Sequence, residues 1–190
     1  MRILRVLIRI AALFALTAPA AAASRADWDA CKGDDPDRSI AACTRIIQGR
    51  GETAKNSAIA HHERGLAYRS KGDFDRAIAD LSEAVRLDPK YAEAYYGRGL
   101  AYGNKDDLDR AIADLSEAIR LAPELEAAHP ETIIRRLAHY NRGRAYDSKG
   151  DFDHAIADFS EAIRLDPKYA EAYYNARTGT RAIWTAPSPT

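Results

Sequence analysis

The chain has 190 residues, 46% of them hydrophobic and 29% charged, and its 28 Lys and Arg balance 28 Asp and Glu. Such a balance gives no basic field for nucleic acid, and aromatic residues do not interleave with basic ones as a stacking platform needs. The two Cys are too few to form the paired clusters of a zinc site.

Residues 1–23 carry Arg2, Arg5 and Arg9, then the apolar run 10–16, then the Ala-rich stretch 18–23. This is the order of a signal peptide, with removal expected near Ala23 and a periplasmic or secreted product. The apolar run is shorter than the roughly 20 residues that span a bilayer, so no stable membrane anchor is expected. No Cys follows it directly and no twin-Arg pair occurs, which speaks against a lipoprotein and a twin-arginine route. Without this segment, 25 Lys and Arg face 28 Asp and Glu, a net charge of about −3.

Residues 24–57 form a divergent first unit that holds both Cys31 and Cys43. In an exported chain these two are expected to form a disulfide. The segment 35–47 aligns with 73–85, so Cys43 stands where later copies have Leu81, Leu115 or Phe159. A bridge would staple two short helices and stabilise them by roughly 2 to 4 kcal/mol.

From residue 58 the chain repeats. The stretch 73–96 returns almost letter for letter at 151–174, and a relative of its first part lies at 107–123. Alignment on Pro89, Pro123 and Pro167 gives blocks 58–91, 92–125 and 136–169, a period of 34 residues. In register lie Gly65, Gly99 and Gly143, then Tyr68, Tyr102 and Tyr146, then Ala77, Ala111 and Ala155. Apolar residues recur at helical spacing in two runs per block, so each block reads as a helical hairpin. Asp73 and Asp151 cap second helices, and the Pro of each block is expected to stop them. The small Gly and Ala allow the two helices to approach. Ala84, Ala118 and Ala162 are expected to contact the next unit. Glu83 with Arg86, Glu117 with Arg120 and Glu161 with Arg164 can pair on the solvent side.

These marks closely resemble tetratricopeptide repeat (TPR) units. The resemblance implies an all-α fold, a superhelical array of antiparallel helix hairpins, and a protein or peptide partner held in its inner groove. Where Leu is usual before the repeat Gly, this chain has Arg64, Arg98 and Arg142, and Asp80, Asp114 and Asp158 recur on the second helices. Either these form a ladder of bidentate contacts or both groups point at water.

Residues 126–135 interrupt the period. Pro130 and the residues after it read as a first turn, so the insertion is expected to lengthen the following helix by about two turns. It is either a partner contact or a spacer that changes the superhelical step. Residues 170–184 repeat the start of a first helix and then lose the pattern, as a capping helix does, and 185–190 read as a disordered tail.

No catalytic constellation emerges. His61 and His62 are adjacent, with no His one turn on, so they form no metal pair. His61 and His139 take the large position filled by Tyr95 and read as packed residues, and His154 takes a solvent position. No phosphate loop, nucleophile elbow or matched Cys and His appears. The chain therefore reads as non-enzymatic, without cofactor or metal.

By resemblance, the groove positions are His62, Leu66 and Arg69, then Tyr96, Leu100 and Gly103, then Tyr140, Arg144 and Asp147, with Tyr174 on the cap. Tyr96, Tyr140 and Tyr174 are the expected anchors, unless they pack between neighbouring first helices. TPR domains that clamp a chaperone's terminal carboxylate use Lys, Asn and Arg at positions occupied here by His62, Leu66, Gly97, Leu137 and Asn141, so that clamp is missing. An exported scaffold or adaptor fits best. The alternatives are a small-ligand carrier or enzyme accessory that uses the groove as a pocket, and a subunit of an envelope assembly that makes contact through the ends of the array.

Overall fold

The computed structural model describes residues 23–49, 51–128 and 133–183, with side chains of 123–128 and 177–183 left aside. The expected leader up to Ala22, the insertion residues 129–132 including Pro130, and the tail lie outside them. Among the described residues there are nine helices and no strand. They are α1 (Arg25–Cys31), α2 (Pro36–Gln48), α3 (Ala54–Ser70), α4 (Phe74–Leu87), α5 (Ala92–Asn104), α6 (Leu108–Ala128), α7 (Ile134–Ser148), α8 (Phe152–Leu165) and α9 (Ala170–Ile183).

Local chemistry sets the ends of the hairpins. Asp73, Asp107 and Asp151 each accept a backbone N–H from the residue three further on, capping α4, α6 and α8. In the turns before α4 and α8, Gly72 and Gly150 take a φ of 77°, the left-handed region that suits a residue without Cβ. The matching turn before α6 uses Asp106 instead, at φ 61°. After α4 and α8, Asp88 and Asp166 accept from the backbone N–H of Lys90 and Lys168 at 3.0 Å, which turns the chain into the next unit.

That turn is missing after the second full block, and one expectation fails there. Pro123 does not stop the helix, and the insertion adds two residues rather than two turns to the next one: α6 continues to Ala128, whereas α7 starts at Ile134. In place of Asp88 the chain has Ala122, fully buried, and the residues after Pro123 are Glu-Leu-Glu-Ala-Ala. With no Asp to form the turn and strong helix formers ahead, the helix runs through the Pro.

Each first helix packs on its own second helix and on the one before, and first helices also touch one another in order along the array. Second helices touch no neighbouring second helix among the described residues. The array therefore curves, with α3, α5, α7 and α9 inside. The core is rich in Ala, with few large buried side chains: Leu81 in the first full unit, Leu115 and Leu121 in the second and Phe159 in the third. A Cβ placed on Gly99 would come within 2.9 Å of Leu115 Cγ and 3.3 Å of the Ala111 carbonyl, which is why this position is small. Ala118 joins Ala138 of the next unit in one cluster, as the stacking of repeats requires. In the first unit the Cys31–Cys43 disulfide takes the place of the large side chain, in a cluster with Ala42, Ile46 and Ala60.

The Arg to Asp ladder forms. Arg64 meets Asp80 through two bonds of 2.7 Å, Arg98 meets Asp114 at 2.7 and 2.8 Å, and Arg142 meets Asp158 through two bonds of 2.8 Å. The remaining nitrogen, Nη1, reaches back to the preceding unit: Arg64 to Thr44 at 2.9 Å, Arg98 to Ser82 at 3.1 Å and Arg142 to Ser116 at 2.8 Å. The last of these spans the insertion, so the ten extra residues leave this stacking contact unchanged. His61 and His139 are more than packed rings: each Nδ1 lies on the ladder carboxylate, at 2.9 Å from Asp80 and 2.8 Å from Asp158. On the outer side, Lys71, Lys105 and Lys149 bond Asp37, Asp75 and Asp109 of the unit before.

Burial alone would raise the Asp80 and Asp158 carboxyls, yet bonds from Arg64 and His61, and from Arg142 and His139, bring them below the usual 3.8. A lowered folded pKa contributes stability above the unfolded value and loses it as pH falls through the folded one. Urea unfolding followed by circular dichroism should therefore show stability falling below about pH 4. Asp158→Asn, which strands Arg142, should cost roughly 3 to 5 kcal/mol at pH 7 and flatten that acid decline. Asp106→Gly, relieving the left-handed residue, should stabilise by about 0.5 to 1 kcal/mol in the same assay.

Candidate functional site

The inner face is built from the first helices, and the ten expected groove residues divide there by what holds them. His62 is only 7% exposed, its ring 4.9 Å from that of Tyr91, so it is walled into the array and offers little to a partner. Tyr96 is half-buried, and its hydroxyl accepts from Asn141 Nδ2 of the next unit at 3.1 Å. Tyr140 repeats this one unit later: its hydroxyl accepts from Asn175 Nδ2 at 2.9 Å, and its ring packs against Tyr169 at 4.9 Å. Burial raises the Tyr96 hydroxyl above its ordinary pKa and takes that of Tyr169 up to about 12. These rings tie neighbouring first helices together. Tyr174 is 70% exposed, with Tyr173 beside it at 51%.

Three expected residues, Leu100, Gly103 and Arg144, come together around one pocket of about 120 Å³ between α5 and α7. Its floor is Leu108 and Leu115, and Asn141 closes one side. The pocket exists because of a local change in sequence: in this register α3 has Arg69 and α7 has Asp147, whereas α5 has the exposed Gly103 and leaves the space open. Leu66, on α3, is half-buried, and a Cβ on Gly97 would touch it at 3.3 Å. Arg69 has a buried Nε without a hydrogen-bond partner, and its charge, with that of Arg136, acts on the Tyr96 hydroxyl. Asp147 and Arg144 are exposed on the same face of α7.

The site thus has an apolar floor, an amide, a guanidinium at the rim and open aromatic surface on the cap, groups that can hold a side chain by apolar contact and hydrogen bonds. Among the described residues no group of His, Cys, Asp and Glu could hold a metal ion, and no helix is long and apolar enough to cross a membrane. Asn141 and Asn175 were not read as functional from sequence. The signal was present, since both stand in one register, where the earlier units have Gly97 and Glu63, directly after the Tyr column.

Comparison with known proteins agrees with this architecture. The tetratricopeptide repeat family model matches residues 92–125 and 137–169, and a TPR repeat model matches 65–106. No curated protein sequence matches. Among solved structures, MamA superposes with a TM-score of 0.68 at 28% identity, over 84% of this chain and 85% of that one. The first TPR of Spaghetti (RPAP3), solved bound to the HSP90 peptide SRMEEVD, gives 0.61 at 22% identity over 69% and 96%. The Arabidopsis OM64 TPR domain gives 0.61 at 21% identity over 68% and 98%. The last two likenesses concern the fold alone. With its 34-residue period, its stacked hairpins and the matching family models, the chain belongs to the tetratricopeptide repeat proteins.

Proposed function

We propose that this chain is a non-enzymatic interaction module of the bacterial envelope, a scaffold or adaptor that holds a segment of a partner protein along its inner groove. The observation that carries this reading is the open pocket at Leu100, Gly103, Asn141 and Arg144, the place on the inner face where the repeat register leaves a gap. A side chain of a partner would fill it, its apolar part on Leu108 and Leu115 and its polar end at Asn141 or Arg144. Tyr174 adds a flat aromatic surface at low entropic cost. Tyr96 and Tyr140, already bonded within the array, shape the wall between these two contacts. A peptide-bound TPR neighbour gives the reading a precedent in the fold.

The envelope location rests on the leader-like segment 1–23 and on the Cys31–Cys43 disulfide, which persists in an oxidising compartment. A small-ligand carrier that uses the groove is the weaker reading, because the groove pocket of about 120 Å³ is well below the size that buries a typical ligand, on the order of 300 to 1,000 Å³.

Capture from an envelope fraction with purified protein tests the proposal. Leu100→Asp and Arg144→Glu should each reduce the retained partner about tenfold, equivalent to roughly 1.4 kcal/mol, while Arg164→Glu on the outer face leaves it unchanged. Equal loss from Arg164→Glu would move the contact away from the groove. Recovery of a small molecule with no protein would sink the reading in favour of a carrier.

A further inference from the structure

The sequence leaves the end of the leader open. Small residues at the first and third positions before the cut are satisfied after Ala20, after Ala22 and after Ala23 alike. The folded chain distinguishes these registers. Ala23 is half-buried and packs against the cluster around Cys31 and Cys43. Its backbone N–H donates to Glu52 Oε1 at 2.8 Å, a contact across 29 positions that joins the chain start to the start of α3. Glu52 is held for this role: its other oxygen accepts from Asn56 Nδ2 at 2.7 Å, and the next residue, Thr53, caps α3 by accepting from Asn56 N.

We propose that the leader is cut between Ala22 and Ala23, and that the ammonium group created there is captured by Glu52. The inference rests on the export reading above. In the hydrolysis, carried out by an envelope signal peptidase with water, the Ala22 to Ala23 amide C–N bond breaks. The hydroxyl of water stays on the Ala22 carbonyl carbon and its hydrogen goes to the Ala23 nitrogen. At neutral pH the new acid releases a proton and the amine takes one up. An N–H to carboxylate bond thereby becomes a charge-assisted one in the same place.

The other registers do not give this result. A cut after Ala23 removes a residue that packs on the disulfide cluster. It also puts the ammonium on Ser24, whose hydroxyl caps α1 at 3.1 Å, against the positive end of that helix. A cut after Ala20 leaves Ala23 with a neutral amide. The carboxylates near the start of the chain are Glu52 and Asp27, and Arg45 already bonds Asp27 at 2.8 Å, so Glu52 is the acceptor for the new charge. Both the ammonium tie and the disulfide then arise only outside the cytoplasm, so the first unit acquires its last fastenings after export.

The test is expression of the full 190-residue chain with its own leader in a Gram-negative host, followed by intact-mass and N-terminal analysis of the envelope fraction. The expected product begins at Ala23. A product beginning at Ser24 or at any other residue overturns the proposal while leaving export intact, whereas an uncut cytoplasmic chain overturns export as well. On the product beginning at Ala23, Glu52→Gln should lower the melting midpoint by about 1 to 3 °C, and the same substitution should cause no such shift once the terminal amine is acetylated. An equal shift in the acetylated chain would mean that Glu52 does not hold the charge.

Discussion

The guanidinium groups of Arg64, Arg98 and Arg142 are the constraint on which the rest of the array depends. Each full unit buries only one or two large apolar side chains among many Ala, so dispersion and burial alone specify the helix geometry weakly. The Arg supplies what the small residues cannot. Two of its nitrogens fix the second helix of its own hairpin through a carboxylate, and the third fixes the second helix of the unit before through a hydroxyl. One planar group therefore sets the hairpin and the step between units. Buried ion pairs of this sort often contribute little net stability against an apolar core, and their best-attested role is to select one packing over others. In an array of near-identical units, where a slipped stack buries almost the same apolar surface, such selection has an evident use.

The groove follows from this frame. With α3, α5 and α7 held at fixed spacing, the Tyr and Asn columns meet from one unit to the next and close most of the inner wall. The wall stays open where a register position changes character, at Gly103, and at the exposed Tyr173 and Tyr174 on α9. The ten-residue insertion would be expected to disturb such a frame, yet the Arg142 to Ser116 bond matches Arg98 to Ser82. The extra chain is accommodated in part by the longer α6, after the stacking residues.

Much of this was legible in the residues. Identical letters at a constant offset give hairpins with the same caps, and an Arg and an Asp that recur together, sixteen apart, can meet across a hairpin in every copy. What misled was reading each position by its usual role. Pro123 carries the stop signal of its neighbours, but the stop also needs the Asp that Asp88 supplies and Ala122 does not. For Tyr96 and Tyr140 the sequence left packing between first helices as the other reading, and both hydroxyls do bond the next unit, at Asn141 and Asn175.

The sequence by itself determined the repeat, its period, the order of helices and turns, the capping residues and the Cys pair, since each depends on neighbours along the chain or on strict repetition. Only the tertiary structure decided which hydroxyl receives the third arm of each Arg, which Tyr remains open, where the pocket falls and which atom meets the backbone N–H of Ala23. Those contacts depend on the angle and offset between helices from different units, and the atoms involved lie from 16 to 45 residues apart. No local pattern encodes such a distance until the stack has formed.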